Sequence, residues 1–139
     1  MNIMFRNILP CLFCLVLIVS CEHSTSTQDN SVDIYGSWQW TKTEGGVFPL
    51  VTTPQSSGYT AKTVFKPEGI AQYFRNDTII NQYQFSIIKD TSGAQINDLL
   101  HFNIPAYQPD QIINFQGSDS LILRDYVSDG FTHFYVRIK

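Results

Sequence analysis

From about residue 34 onward, the chain is divided into eight short strand-like runs, and no stretch between them repeats its apolar residues at a helical spacing for any useful length. The runs cover residues 35–43, 59–66, 70–75, 78–89, 99–104, 111–116, 121–124 and 131–138. Turn residues separate them: Pro67 and Gly69, Asn76 and Asp77, Pro105 and Pro109, Gly117 to Asp119, and Asp129-Gly130. In the fourth run Ile79, Tyr83, Phe85 and Ile87 share one face while Gln82, Gln84 and Ser86 share the other, the alternation of a strand wetted on one side. Short strands joined mostly by hairpin-length connections predict an all-β fold, an eight-stranded antiparallel up-and-down β-barrel that leaves no open sheet edge. A two-sheet sandwich is the alternative that the same runs allow.

Composition narrows the function classes. At 139 residues the chain supports one domain with one core. Its 14% aromatic and 15% charged content suits half-buried pleated surfaces rather than a disordered polyelectrolyte. The formal charge is -3 and the Lys and Arg residues are scattered. No basic stripe is available to neutralise phosphates, which argues against a nucleic-acid partner. The sequence has no nucleophile elbow, phosphate loop, paired-His helix motif or calcium loop. His23, His101 and His133 are isolated from one another, so neither a metal site nor a cofactor is expected. The expectation is a monomeric, non-enzymatic protein.

The first 20 residues read as a targeting segment. Arg6 precedes the apolar run 8–19, which is too short to span a hydrocarbon core of about 30 Å and matches a signal-peptide core in size. The run ends in Ile18-Val19-Ser20-Cys21, which resembles the bacterial lipobox. That resemblance implies cleavage before Cys21, acylation of its thiol and amine, and a membrane anchor held by several acyl chains. No Cys follows Cys21, so disulfides, thiol catalysis and thiolate metal sites are ruled out for the remainder. Residues 22–33 are polar and aperiodic, a flexible tether of about 20 Å r.m.s. reach, and the folded domain is assigned to 34–139.

One connection is long. Residues 44–58 include Gly45, Gly46, Pro49 and Pro54 and read as a loop. Its Val47, Phe48, Leu50 and Val51 are expected either to plug the barrel end or to form a lid over a cavity.

Gly36-Ser37-Trp38 opens the first strand and resembles the Gly-x-Trp start of the lipocalin family. The ending from Asp129 to Lys139 is similar to that of small lipocalin-like lipoproteins of Gram-negative bacteria. The resemblance covers 34–139. It implies a lipocalin-like barrel in the cell envelope, most simply on the outer membrane, with Gly36, Trp38 and Arg137 as structural residues. The barrel topology makes the same demand independently, because the start of the first strand lies beside the end of the eighth. Arg137 is therefore expected over the Trp38 indole.

The same topology sorts the connections into two ends. Loops 44–58, 76–77, 105–110 and 126–130 belong at the end far from Trp38, and the mouth is expected there. A small hydrophobic or amphipathic ligand is the expected partner, with Trp40, Phe65, Tyr83 and Phe85 lining its site and Phe48, Tyr107 and Tyr126 at the mouth. The competing expectation is a filled barrel whose loops meet a protein or glycan. In the last run, burying Phe134, Val136 and Ile138 is favoured on area grounds at about 25 cal/mol per Å². The opposite register would turn His133, Tyr135 and Arg137 inward.

Overall fold

The period-two runs form strands with ends close to those expected. A computed structural model describes residues 33–48, 50–104 and 108–139; the targeting segment, Cys21, the tether up to residue 32, and Tyr107 lie outside the described residues. In chain order the described elements are β1 (Gly36–Gly45), β2 (Leu50–Thr52), α1 (Pro54–Ser57), β3 (Ala61–Lys66), β4 (Ile70–Arg75), β5 (Thr78–Asp90), β6 (Asn97–Asn103), β7 (Gln111–Phe115), β8 (Ser120–Asp125) and β9 (Phe131–Arg137).

Each strand from β3 to β8 pairs antiparallel with the next, and β3 pairs with the first half of β1. The sheet closes where β9 returns to the other edge of β1, from Trp38 opposite Arg137 to Gly45 opposite Phe131. The result is the expected eight-stranded antiparallel up-and-down barrel of lipocalin-like form. Asn76 and Asp77 both adopt positive φ, 47° and 63°, which suits a two-residue hairpin loop between β4 and β5.

Three expectations need correction. The segment 44–58 is partly regular. Leu50–Thr52 adds β2 to the second half of β1, and Thr53 caps the single turn α1 through its hydroxyl, with Pro54 just inside and Gly58 closing it in the left-handed region. Val47 and Phe48 at the tip are 78% and 76% exposed, and Leu50 and Val51 are exposed as well. They form neither plug nor lid, because pairing with β1 holds the segment away from the barrel axis.

The second correction concerns β9. Tyr135 and Arg137 pair with Trp40 and Trp38, and His133 and Tyr135 pair with buried Leu123 and Leu121 of β8. His133, Tyr135 and Arg137 thus face inward, whereas Val136 and Ile138 face solvent. Phe134 is outside too, with the Lys42 ammonium 4.1 Å from its ring centroid. Closure decides this register. Since Trp38 must be inside, its cross-strand partner Arg137 must be inside as well, and every second residue of β9 follows.

The third correction concerns β5, whose pairing with β4 skips Ile80, so that Phe74 faces Ile79 while Tyr73 faces Asn81. This irregularity turns Ile79 outward, where it is exposed, although Tyr83 and Phe85 stay inward.

The core fills the half of the barrel around Trp38. Trp38, Leu100 and Leu121 are fully buried there, and Phe65 packs edge-on against Phe85 at 5.3 Å. Arg137 seals this end. Its guanidinium carbon lies 4.2 Å from the Trp38 ring centroid, and its nitrogens donate to the carbonyls of Asp33, Tyr35 and Ser118.

Candidate ligand cavity at the open end of the barrel

The far half of the barrel is not filled. Two adjoining cavities of about 230 and 290 Å³ share Tyr73, Ile80, His133 and Tyr135 as walls. Trp40, Thr43, Tyr59, Lys62, Thr63 and Arg75 are among the other walls of the first, and Asn81, Tyr83, Gln108 and Gln111 complete the second. The wall is aromatic with a few polar groups, the composition usual for sites that take small organic molecules.

A bulge in β1 makes this wall. Its pairing with β9 passes over Thr41, and the Thr41 hydroxyl donates to the Phe134 carbonyl at 3.0 Å. Inserting one residue moves Thr43 onto the inner face beside Trp40. The Trp40 indole then donates to Thr43 Oγ1 at 2.9 Å, and Thr43 Oγ1 lies 2.9 Å from His133 Nδ1. The Thr43 hydroxyl thus bridges the indole and the imidazole, while His133 Nε2 faces Asp125 Oδ1 at 3.8 Å. Asp125 is held in turn by the Gln111 amide at 2.8 Å and the Phe131 N–H at 3.0 Å.

Electrostatics follow from burial. Desolvation lowers the His133 pKa below the usual imidazole value, with the Asp125 charge opposing, so the ring is neutral at pH 7. Burial also pushes the Tyr135 hydroxyl up to about 12, a Thr63 hydrogen bond opposing and Asp125 adding to the shift. Tyr73 is raised well above the ordinary phenol value, first by burial and then by the neighbouring Tyr135 and Tyr83. Tyr73, Tyr135 and His133 therefore present neutral hydroxyls and one neutral imidazole to the cavities.

Of the residues expected to line a ligand site, Trp40 and Tyr83 do so. Phe65 and Phe85 sit in the packed core. Phe48 lies on the exposed hairpin tip. Tyr126 turns away from the mouth: its hydroxyl donates to Asp90 Oδ2 at 2.7 Å. It borders a separate cavity of about 610 Å³, a groove beneath the β8–β9 loop and over outward-facing Ile112, Arg124 and Thr132. Tyr107 and Cys21 lie outside the described residues. Sequence reasoning missed Tyr73 and Thr43, and placed His133 and Tyr135 inside only in the register that it did not favour. Tyr135 and His133 were within reach once β9 was paired to the Trp38 face of β1; Thr43 depends on a bulge with no sequence signal.

No group of three or more His, Cys, Asp or Glu side chains converges as a metal site among the described residues. Fold and cavity together define a small closed β-barrel with an aromatic, polar-tipped chamber at one end. No protein-family model matches the chain, and no match is found among curated proteins or solved structures.

Proposed function

We propose that this protein is a lipid-anchored, lipocalin-like binding protein of the cell envelope, tethered through acyl chains on Cys21, most simply to the outer membrane. It takes a small hydrophobic or amphipathic molecule into the open end of its barrel and performs no catalysis. The observation that carries this reading is the unfilled chamber walled by Trp40, Tyr73, Tyr83 and Tyr135, in a barrel whose other half is fully packed. Burying an apolar ligand there gains about 25 cal/mol for each Å² removed from water.

A second reading rests on a separate observation. The exposed tip with Val47, Phe48, Leu50 and Val51 supports a loop that meets a protein or glycan.

Native mass spectrometry of the protein purified without detergent, paired with a titration by neutral N-phenyl-1-naphthylamine, tests the first reading. A co-purifying small molecule, or saturable probe binding weakened by Trp40→Ala, supports it. Absence of both, in a folded protein, leaves the second reading.

A further inference from the structure

The open end carries a three-layer stack that points out of the barrel. Trp40, buried in the wall, lies 5.8 Å from Tyr59 with the rings 19° from parallel, and the Arg75 guanidinium carbon lies 4.4 Å from the Tyr59 ring centroid. Arg75 closes β4 on the inward parity set by Ala71 and Tyr73, so its side chain belongs to the cavity although it is exposed. Among the described residues, no carboxylate pairs with it, and its side-chain N–H groups donate to nothing. Stacking on Tyr59 holds the plane of the fork while leaving its edge donors open.

The surrounding charges single out this position. Lys62, the other cation of the cavity, is 4.5 Å from the Phe74 ring centroid and 3.6 Å from Asp77 Oδ1, already partnered. Glu44 is engaged by Lys42 at 2.7 Å on the outer surface. Asp125 ends β8 beneath the β8–β9 loop, outside the cavity walls and behind a neutral His133, and it is already held by the Gln111 amide and the Phe131 N–H. Among the residues that wall the two cavities, Arg75 is the cation left to meet a negative group.

From this arrangement we infer that the ligand is an amphipathic anion. Its apolar body lies against Trp40, Tyr73 and Tyr135, and its carboxylate or other acidic head is held by Arg75 at the rim. This inference rests on the reading of the chamber as a ligand site and adds the class of ligand. Arg75 contributes a planar, permanently charged donor pair already positioned by the aromatic stack, so little side-chain entropy is lost on binding.

The test compares dodecanoate with 1-dodecanol, each displacing N-phenyl-1-naphthylamine from the full-length wild-type protein and from the Arg75→Gln and Arg75→Lys variants. Folding of each is checked by its thermal transition. The expected result is tighter binding of dodecanoate than of dodecanol by about tenfold, the scale of one hydrogen bond to a charged group. Arg75→Gln removes that preference without weakening dodecanol, and Arg75→Lys restores only part of it. The preference also shrinks as salt rises, because the rim is exposed. Equal affinity for the two probes, or a preference that survives Arg75→Gln, overturns the inference while leaving the chamber as a site for neutral ligands. Failure of both probes and the dye to bind at all overturns both.

Discussion

Arg137 covers the Trp38 indole at 4.2 Å while its three nitrogens reach the carbonyls of Asp33, Tyr35 and Ser118. One side chain thus ties the chain entering β1, the β7–β8 turn and the end of β9 into a single plug. Gly36 makes room for it: a Cβ there would stand 3.0 Å from Arg137 Nη1. Arg137→Ala removes the cation–π contact and all three hydrogen bonds. The carbonyls regain water, so the expected loss is about 2–4 kcal/mol rather than the sum of ideal bonds. Arg137→Lys recovers little, because an ammonium cannot span three carbonyls while lying flat on the ring. Urea unfolding of the two variants measures both, and near-wild-type stability for Arg137→Lys would show the charge alone to be sufficient.

Gly45 marks the point where β1, β9 and the β8–β9 loop meet. Its φ is 125°, and an added Cβ would lie 2.5 Å from the Gly130 carbonyl oxygen. Gly117 also has positive φ, 68°, but open space where its Cβ would go. Gly117→Ala is therefore expected to cost about 1 kcal/mol, from the backbone alone. Gly45→Ala adds displacement of a backbone carbonyl at the barrel seam and is expected to cost about 2–4 kcal/mol. Thermal unfolding of the pair separates conformational strain from collision.

Most of the barrel was readable from alternation and turn residues, since the core lies on one side of each strand and the hairpins carry Gly, Pro, Asn or Asp where the backbone must reverse. The faces of β5 and β9 were harder to read. In β5 the irregularity at Ile80 breaks the parity that places Ile79 beside Tyr83. In β9 the apolar set Phe134, Val136 and Ile138 outranks His133, Tyr135 and Arg137 by area, yet the polar set is inside. The reason is that its polar tips find partners: Thr43 for His133, and three carbonyls for Arg137. Area decides a register only when the polar alternative leaves groups unsatisfied. That the Trp38–Arg137 contact and a buried Phe134 are hard to reconcile on one regular strand was the clue available without coordinates.

His133 gives the fold an acid-sensitive point. Its folded pKa is depressed, so the unfolded chain, titrating near 6.5, takes up a proton that the native state resists. The contribution is fully present above about pH 6.5 and is lost as pH falls through the folded value. Stability of the wild type should accordingly drop on going from pH 7.5 to pH 5, and His133→Gln, which keeps a hydrogen-bonding group near Thr43 but does not titrate, should flatten that slope. Chemical unfolding at the two pH values decides it; an unchanged slope in the variant would assign the acid sensitivity to the carboxylates instead.

Tyr135 makes the opposite prediction at the alkaline end. Its hydroxyl is pushed up to about 12 by burial against the inner wall, while a phenol in the unfolded chain ionises near 10. The raised folded value means that its contribution is complete below about pH 10 and disappears as pH climbs from there through about 12. Among the seven tyrosines, Tyr135 and Tyr73 should ionise last, and their ionisation should coincide with loss of the fold rather than precede it. Absorbance at the phenolate band, followed together with far-ultraviolet circular dichroism, gives both curves. In Tyr135→Phe the charged form no longer exists, so the alkaline midpoint of unfolding should move upward even though the Thr63 contact is lost. A bound ligand covering Tyr135 should shift the same midpoint upward in the wild type, by excluding hydroxide and water from the chamber. An alkaline transition indifferent to Tyr135→Phe would mean that Tyr73 alone controls it.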